Sequence, residues 1–374
     1  MRHGFIKIAA ATPHITVADC KANGEEILQK IREMEKEHAK VMVFPELCIT
    51  GYTCGDLFLH RRLLDSAWET LLKIAEETKN TDGLIFIGVP VRNHGKLYNA
   101  AAVLNRGKII GLVPKIHLPN YSEFYEQRHF ISGAGCLEYA LIDGMKIPFG
   151  PELLFVCEEV PELVTAAEIC EDLWVTLPPS VLHAQAGANL IVNLSASNEM
   201  VGKDTYRRNL VKGQSARLVC GYVYANAGEG ESTQDLVFGG QNMIAENGEI
   251  LAEGERFKNG IVYSEIDVQK LNDERRKMTT FQEADDSDHL KVPFHLNVEE
   301  TVLTRKFPKF PFVPEKKEER EMRCDEILHI QAMGLKQRMA HIHCTGATVG
   351  LSGGLDSTLA LLVIDRTFDL MGLP

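Results

Sequence analysis

Residues 41–52 have the sequence VMVFPELCITGY. The apolar run 41–44 is typical of a buried strand, and Pro45 ends it because proline cannot donate a ladder hydrogen bond. Glu46 follows directly, so a charged side chain stands where an apolar strand ends. A sheet holds such end positions rigidly while they face a cleft, which makes Glu46 a candidate functional residue.

Two further apolar runs end in the same way. Residues 111–115 (GLVPK) finish at Lys115, and residues 165–170 (TAAEIC) finish at Cys170. A cysteine attacks carbonyl groups as the thiolate, so it needs a base or a cation nearby. Glu46 can take the thiol proton, and Lys115 can stabilise the thiolate and then an oxyanion. The trio predicts amide hydrolysis through an acyl-thioester; an inert buried cysteine beside a structural ion pair is the alternative.

The first 275 residues alternate short apolar runs with helical stretches. Helices are predicted after Asp19, a capping residue, and over 61–79. Hairpin turns are predicted at NRGK (105–108) and ENGE (246–249). Further strands are predicted over 84–91, 100–104, 109–113, 163–169, 190–194 and 219–225. Strands mixed with helices and hairpins indicate a layered α/β domain whose sheets are not purely parallel.

Length and composition exclude several classes of protein. The chain has 374 residues, which favours two to three domains, and 45% of them are hydrophobic, as in globular proteins. A formal net charge of −12 argues against nucleic-acid and membrane-surface partners, which require a basic face. The nine cysteines form no disulfide framework, and CxxC and HExxH metal motifs are lacking. Without an export signal or an apolar run of bilayer length, the expected location is the cytoplasm.

The character of the sequence changes after residue 275. Prolines and the charge run EKKEERE indicate a linker over 276–323. Residues 324–374 then show helical spacing over 324–339, a short strand over 347–351, the string SGGLDS over 352–357 and an apolar helix over 357–368. A glycine-rich loop between a strand and a helix N-terminus is an anion cradle, and without the Lys of GxxxxGK[ST] it is not a Walker A loop.

The first trio carries a specific resemblance. The strings VFPELCITGYTCGDLF, VPKIHLPNYSEFYEQRHF and EICEDLW resemble the Glu-Lys-Cys blocks of the nitrilase (carbon–nitrogen hydrolase) family, in particular the glutaminase branch attached to glutamine-dependent NAD⁺ synthetase. The resemblance covers residues 1–275 and implies a nitrilase-type αββα sandwich. It also implies that Glu46 is the proton acceptor, Lys115 the catalytic lysine and Cys170 the nucleophile, with no tightly bound cofactor in this domain.

The same resemblance implies further site residues. Glu123, eight residues after the lysine, matches the second glutamate that orients the lysine or the substrate; a solvated helix charge is the alternative. The family's glutamine-binding positions fall on six residues, in which aromatic groups suit the aliphatic stem and charged groups suit the α-amino and α-carboxylate groups. These are Tyr52, Tyr121, Phe124, Glu171, Ser197 and Lys203. Lys203 stands where other members carry Arg.

The SGGLDS string resembles the pyrophosphate loop of N-type ATP pyrophosphatases. This implies the first strand, loop and helix of a Rossmann-like domain, akin to the adenine nucleotide alpha hydrolases. By this resemblance the loop binds the phosphates of ATP, taken as its Mg²⁺ complex, through Ser352, Gly353, Gly354, Leu355, Asp356 and Ser357. One strand and two helices cannot bury a core of their own, so the remainder of a synthetase domain is expected beyond Pro374.

Together the two resemblances imply a glutamine-dependent NAD⁺ synthetase. L-Glutamine hydrolysis would release ammonia, which would be passed to ATP-activated deamido-NAD⁺, and a homo-oligomer is implied. A stand-alone amidase or nitrilase with an unrelated tail is one alternative, and a non-catalytic assembly module with a nitrilase fold is another. Synthetases that form GMP or asparagine are disfavoured, because they are coupled to other glutaminase folds.

Overall fold

The computed structural model describes residues 1–233, 235–281 and 286–374. They form two compact units, Met1–Arg305 and Lys306–Pro374. None of the described helices is long and apolar enough to cross a bilayer.

Strands and helices alternate through the first unit. Its described strands are β1 (Phe5–Thr12), β2 (Val41–Val43), β3 (Leu84–Asn93), β4 (Lys96–Asn105), β5 (Lys108–Pro114), β6 (Glu138–Ile142), β7 (Met145–Phe149), β8 (Leu153–Cys157), β9 (Val164–Ile169), β10 (Leu190–Ser195), β11 (Gly221–Asn226), β12 (Met243–Glu246), β13 (Glu249–Glu253), β14 (Gly260–Asp267) and β15 (Leu290–Phe294). Its described helices are α1 (Cys20–Lys36), α2 (Arg61–Glu77), α3 (Pro179–Gln185), α4 (Lys203–Leu218) and α5 (Val268–Lys277).

The strands form two mixed sheets that pack face to face. One has eight strands in the order β14-β1-β2-β3-β4-β5-β7-β6, and the other has seven in the order β13-β12-β11-β10-β9-β8-β15. Phe86 of the first sheet meets Phe155 of the second with ring centroids 5.8 Å apart, inside a core to which both sheets contribute. Helices α1 and α2 cover the outer face of the first sheet, and α3 and α4 cover that of the second. The predicted αββα sandwich is therefore confirmed.

Local sequence explains where these elements begin and turn. Asp19 caps α1 as predicted, because its Oδ1 accepts a hydrogen bond from Ala22 N at 3.1 Å. Both predicted hairpin turns form. Arg106 and Gly107 between β4 and β5 have φ of 47° and 80°, and Asn247 and Gly248 between β12 and β13 have φ of 45° and 83°. Two successive positive φ values match the twist of the flanking strands.

Part of the segment predicted as a linker, 276–323, is structured and packs on the first unit. Strand β15 pairs in parallel with β8 from Leu290 opposite Leu153 to Phe294 opposite Cys157. Asn297 N then donates to Asp82 Oδ1 at 2.8 Å, and Arg305 Nη1 donates to Glu246 Oε2 at 3.0 Å. The first compact unit thus extends to Arg305, because this segment satisfies a sheet edge and pairs with the buried Glu246.

The second unit contains two helices, α6 (Lys317–His341) and α7 (Leu355–Met371), in its described residues. They contact each other where Thr367 Oγ1 donates to Ala332 O at 3.2 Å. The strand predicted over 347–351 is wrong: these residues are all described and form no strand. A strand needs a hydrogen-bonded neighbour, and this unit offers none in its described residues. The helices predicted over 324–339 and 357–368 lie within α6 and α7.

Candidate active site

A buried lysine lies between two carboxylates at the centre of the first unit. Lys115 Nζ donates to Glu46 Oε1 at 2.6 Å and to Glu126 Oε1 at 2.7 Å. Lys115 is 0% exposed, Glu46 1% and Glu126 4%. Charges removed from water to this degree persist only when they are paired and hydrogen-bonded.

The turn after β2 places Glu46. Its Oε1 accepts a second hydrogen bond from Asn99 Nδ2 at 2.6 Å, and its Oε2 accepts one from Ala196 N at 2.9 Å. The turn passes so close to β3 that a Cβ on Gly88 would stand 2.2 Å from Leu47 N. Only glycine at position 88 allows this approach, so the neighbouring strand fixes where the carboxylate stands.

Lys115 is held by its own backbone as well as by its ammonium group. It follows β5, and its N–H donates to Asn99 O at 2.8 Å. Its carbonyl accepts from Gly133 N at 2.8 Å. The same residue, Asn99 of β4, therefore positions both Glu46 after β2 and Lys115 after β5.

Cys170 stands on a tight turn directly after β9. Its φ is 46°, a left-handed conformation that is uncommon for a residue with a side chain. Its N–H donates to Asn193 Oδ1 at 3.1 Å. Two residues later, Asp172 joins this turn to the lysine segment, because Oδ2 accepts from Ile169 N at 3.0 Å and Oδ1 accepts from His117 N at 2.8 Å.

Burial and neighbouring charges set the protonation states of this cluster. Burial, and then the nearby Glu46 carboxylate, raises the pKa of Cys170 well above its ordinary value, and Lys115 offsets part of this. Burial acts to lower the pKa of Lys115, but Glu126 and Glu46 overcome it and raise that pKa instead. Burial raises the pKa of Glu126 to about 7, although Lys115 opposes the shift. In the free protein, Cys170 is therefore a neutral thiol beside a charged ammonium group.

Glu126, rather than Glu123, is the glutamate that contacts the lysine. Glu123 Oε1 instead accepts from Asn198 Nδ2 at 2.7 Å. Of the two roles implied for Glu123, orienting the lysine is corrected, since Glu126 makes that contact, and orienting the substrate stays a prediction. The chain after Lys115 forms a loop in which Glu126 N donates to Pro119 O at 3.2 Å. This loop brings the Glu126 side chain to the lysine. Tyr52 OH also donates to Glu126 Oε1, at 2.9 Å.

The residues predicted to bind glutamine fall into two groups around the cluster. Tyr52 contacts Glu126, as described above. In the second group, Tyr121 OH donates to Glu171 Oε1 at 2.7 Å. Phe124 packs edge-on against Tyr121, with centroids 6.1 Å apart. Glu171 directly follows Cys170, so this tyrosine, carboxylate and phenyl ring lie next to the cysteine turn.

Ser197 and Lys203 complete the predicted set. The Ser197 hydroxyl is buried and has no hydrogen-bond partner among the described residues. Lys203 Nζ lies 5.8 Å from the ring centroid of Phe124 and 5.3 Å from that of Trp174, and it donates to Asn198 Oδ1. Burial lowers the pKa of Lys203. Among the described residues no carboxylate forms an ion pair with Lys203. A cation held between aromatic rings in this way is suited to binding an anionic group.

A cavity of about 460 Å³ adjoins the cluster. Its lining includes Tyr52, Glu123, Phe124 and Glu126, together with Asp56 and Arg128. This volume lies in the range of small-molecule sites. The lysine–carboxylate cluster therefore has an aromatic and polar cavity against it.

The loop of residues 352–357 lies in the second unit, at the start of α7. Ser352 N donates to Ser357 Oγ at 3.3 Å, and Gly354 N donates to Ser352 Oγ at 3.3 Å. Gly353 has φ of 79°, and Leu355 and Asp356 begin the helix. The N-cap residue of α7 is Gly354, which has no side chain to accept a hydrogen bond. The backbone N–H groups in the first turn of α7 therefore have no capping side chain as acceptor.

Comparison with known proteins agrees with this geometry. The carbon–nitrogen hydrolase family model matches residues 7–276. The chain belongs to the carbon–nitrogen hydrolase family. That assignment covers the residues that supply Glu46, Lys115 and Cys170.

Individual proteins are similar to this chain over different shares of its length. A glutamine-dependent NAD(+) synthetase of Mycobacterium tuberculosis H37Rv is 40% identical over 385 aligned residues, which cover 100% of this chain and 56% of that protein. A crystal structure of a glutamine-dependent NAD(+) synthetase from Cytophaga hutchinsonii is 33% identical with a TM-score of 0.63, covering 70% of this chain and 43% of that one. An amidase of the nitrilase superfamily from Nesterenkonia, 18% identical with a TM-score of 0.57, covers 74% of this chain and 97% of its own and shows the shared fold. This chain thus spans about half the length of the synthetases that it matches.

Sequence reasoning missed several residues of the site. Glu126 is one of two glutamates in SEFYEQR, and nothing in that string shows which of them turns inward. Trp174 and Asn198 follow the motif positions Cys170 and Ser197 by a few residues, so a search of the flanking sequence could have found them. Asp172, two residues after the cysteine, carried a signal as well, because buried turns favour a carboxylate that accepts backbone N–H groups.

Proposed function

We propose that the first unit hydrolyses the side-chain amide of L-glutamine, with Cys170 as nucleophile, Glu46 as general base and Lys115 as the group that stabilises the oxyanion. The observation that carries this proposal is the buried arrangement of Lys115 Nζ, 2.6 Å from Glu46 Oε1 and 2.7 Å from Glu126 Oε1. Fully buried carboxylates and an ammonium group are costly for stability, and active sites are where such arrangements are found.

The neutral state of the Cys170 thiol defines the first step. As Sγ bonds to the amide carbon, the thiol proton passes to Glu46, and the amide oxygen becomes an oxyanion beside the Lys115 ammonium. The carbon–nitrogen bond then breaks, and the leaving nitrogen takes the proton from Glu46 to depart as ammonia. Water attacks the resulting thioester, Glu46 takes its proton, and glutamate leaves as the Cys170 thiol is restored.

The polar groups around the cysteine turn fit the two ends of glutamine. The Lys203 cation suits the α-carboxylate, and so does the Ser197 hydroxyl, which bonds to no other group in the described part of the chain, because both can donate hydrogen bonds to it. The carboxylates of Glu123 and Glu171 suit the α-ammonium group. Tyr121 and Phe124 supply apolar surface for the aliphatic stem.

The second unit supports a proposal for the whole protein. Similarity to glutamine-dependent NAD(+) synthetases extends across 100% of this chain, and residues 352–357 combine hydroxyl groups with open N–H groups at a helix start. Such a donor set suits phosphate groups. We therefore propose that the ammonia is used by a synthetase domain, of which this loop is part, to convert ATP-activated deamido-NAD⁺ into NAD⁺, with ATP supplied as its Mg²⁺ complex.

A substrate comparison tests the proposed hydrolysis. We expect ammonia release from L-glutamine at a kcat/KM at least about a hundredfold above that from D-glutamine or from propionamide, because those lack the correctly placed α-groups. Ammonia is measured with a coupled dehydrogenase assay. Equal rates with propionamide would indicate a stand-alone amidase, and no release from any amide would indicate a non-catalytic module.

Glu126→Gln is expected to lower kcat by at least about tenfold, because Lys115 loses one of its two carboxylate partners and Tyr52 loses a charged acceptor. Burial raises the pKa of Glu126 to about 7, so the carboxylate is ionised above that pH and protonated below it. The rate of the parent should therefore fall as the pH drops through about 7. The measurement is kcat for glutamine hydrolysis from pH 5.5 to 9.

Glu123→Gln is the matched comparison, three residues away. Because Glu123 contacts Asn198 and not the lysine, its substitution should raise KM for glutamine more than it lowers kcat, and it should leave the limb near pH 7 in place. A larger fall in kcat with Glu123→Gln than with Glu126→Gln would show that Glu123 is the lysine partner after all.

A further inference from the structure

A line of buried hydrogen bonds leads from the cysteine turn to a carboxylate that does not contact the lysine. It begins at Cys170 N–H, which donates to Asn193 Oδ1 at 3.1 Å. Asn193 Nδ2 donates to Tyr222 OH at 3.1 Å, and Tyr222 OH donates to Glu168 Oε1. The line therefore connects the backbone of Cys170 to a buried carboxylate through two side chains.

Every bond in the line is donated in the same direction, which fixes the orientation of the Asn193 amide. Above a pH of about 7 Glu168 is ionised and only accepts, so the Tyr222 hydroxyl proton points to Glu168, and the hydroxyl oxygen is left to accept from the Asn193 amide nitrogen. The carbonyl oxygen of Asn193 must then face Cys170. Ser195 Oγ donates to that same oxygen at 2.7 Å, which further opposes a rotation of the amide.

The members of the line are rigidly held. Glu168, Asn193 and Tyr222 are 0–1% exposed and lie on the adjacent parallel strands β9, β10 and β11. The second oxygen of Glu168 accepts from Ser180 N at 2.9 Å, so the first turn of α3 anchors the far end. Burial raises the pKa of Glu168 to about 7, and the hydrogen bonds from Tyr222 and Ser180 oppose this shift.

The near end of the line meets strained backbone. With φ of 46°, Cys170 adopts a conformation that residues with a side chain visit rarely, and it persists only where its surroundings impose it. The hydrogen bond to Asn193 is made by the N–H of that same residue. Released from it, the turn could relax, and Sγ would move relative to Glu46 and Lys115.

We propose that Asn193 is a positioning residue for the nucleophile: it holds Cys170 in its left-handed conformation, and Tyr222 and Glu168 act through Asn193 by fixing which way its amide faces. Asn193 does not contact the substrate in this role. The proposal rests on the assignment of Cys170 as the nucleophile of the proposed hydrolysis.

Two single variants and their combination test the proposal in the full chain. Asn193→Leu keeps the side-chain size and removes all three hydrogen bonds of the amide, to Cys170 N, Ser195 Oγ and Tyr222 OH. We expect kcat for glutamine hydrolysis to fall by about 10- to 100-fold with KM changed less than about twofold, since a displaced nucleophile affects reaction more than binding. Tyr222→Phe removes one hydroxyl, and we expect a fall of about three- to tenfold. If Tyr222 acts through Asn193, the double variant should be no slower than Asn193→Leu alone.

Val211→Ala is the control for lost stability. Val211 is buried in the same cluster as Tyr222, on α4, and has no part in the line. It should lower the thermal midpoint without changing kcat. If Asn193→Leu does not fold, the kcat and alkylation rate of Tyr222→Phe alone test the proposal.

The alkylation rate of Cys170 by iodoacetamide, followed by peptide mass spectrometry, gives a readout that does not depend on glutamine. It should fall in both single variants in step with kcat. A parental kcat and alkylation rate in Tyr222→Phe, or independent and additive losses in the double variant, would overturn the proposal. A parent that does not hydrolyse glutamine would refute the proposed function, while the alkylation rates would still test the role of Asn193.

Discussion

Cys170→Ala is expected to abolish glutamine hydrolysis, with a loss in kcat of at least about ten-thousandfold, because no other group can form the acyl intermediate. The fold should remain, since only one sulfur atom is removed from a turn where Cys170 is already 7% exposed. Glutamate and ammonia release are measured beside the thermal midpoint. If the protein continues past Pro374 as a synthetase, added ammonia should still support NAD⁺ formation by this variant.

Cys220→Ala is the matched control. Cys220 is also a free, buried cysteine, but it lies just before β11 and away from the lysine cluster. This variant should hydrolyse glutamine at the parental rate. Normal hydrolysis by Cys170→Ala would mean that another cysteine is the nucleophile.

Lys115→Met is expected to slow acylation by at least about a hundredfold, the scale of losing one oxyanion-stabilising group. Loss of the ammonium charge should also raise the pKa of Cys170 further, because Lys115 opposes the effects of burial and of Glu46 on that thiol. The rate of Cys170 alkylation is measured against pH. A profile identical to that of the parent would remove Lys115 from this role.

The same substitution should reduce stability. Glu46 and Glu126 would be left as buried carboxylates without their cation, and breaking a buried pair in this way costs about 3–5 kcal/mol. Chemical denaturation measures this loss directly. Combining Lys115→Met with Glu126→Gln removes one of the stranded charges and should restore part of the stability, which separates the electrostatic effect from a loss of packing.

The three proposed catalytic residues could be placed from sequence because each follows an apolar strand. Glu46, Lys115 and Cys170 mark the ends of β2, β5 and β9, and these strands belong to two sheets whose packing brings the ends together. A single string such as VFPE shows that a charge ends a strand, but not which strands are neighbours. The motif resemblance supplied that connection.

Residues that act across sequence distance could not be placed in the same way. Glu126 contacts the lysine and Glu123 does not. Each of the two glutamates stands between one polar and one aromatic residue, so their flanking sequence does not distinguish them. Asn193 and Tyr222 are polar residues inside apolar strands, a pattern that alone indicates a buried hydrogen-bond partner without naming it.

Strand pairing also explains where the secondary structure predicted outside the site was wrong. Residues 290–294 have weak strand character, yet they form β15 because the edge of β8 is available to them. Residues 347–351 have stronger strand character and form none, because no described strand of their unit stands beside them. Tertiary partners therefore override local preference in both directions.

Rapid acid quenching of the protein during glutamine turnover, followed by peptide mass spectrometry, tests the central claim most directly. A γ-glutamyl thioester should be found on the peptide that contains Cys170, should form before glutamate is released, and should be absent from the Cys170→Ala variant. Ammonia release with a thioester on another cysteine, or with no covalent intermediate at any time point, would contradict the account.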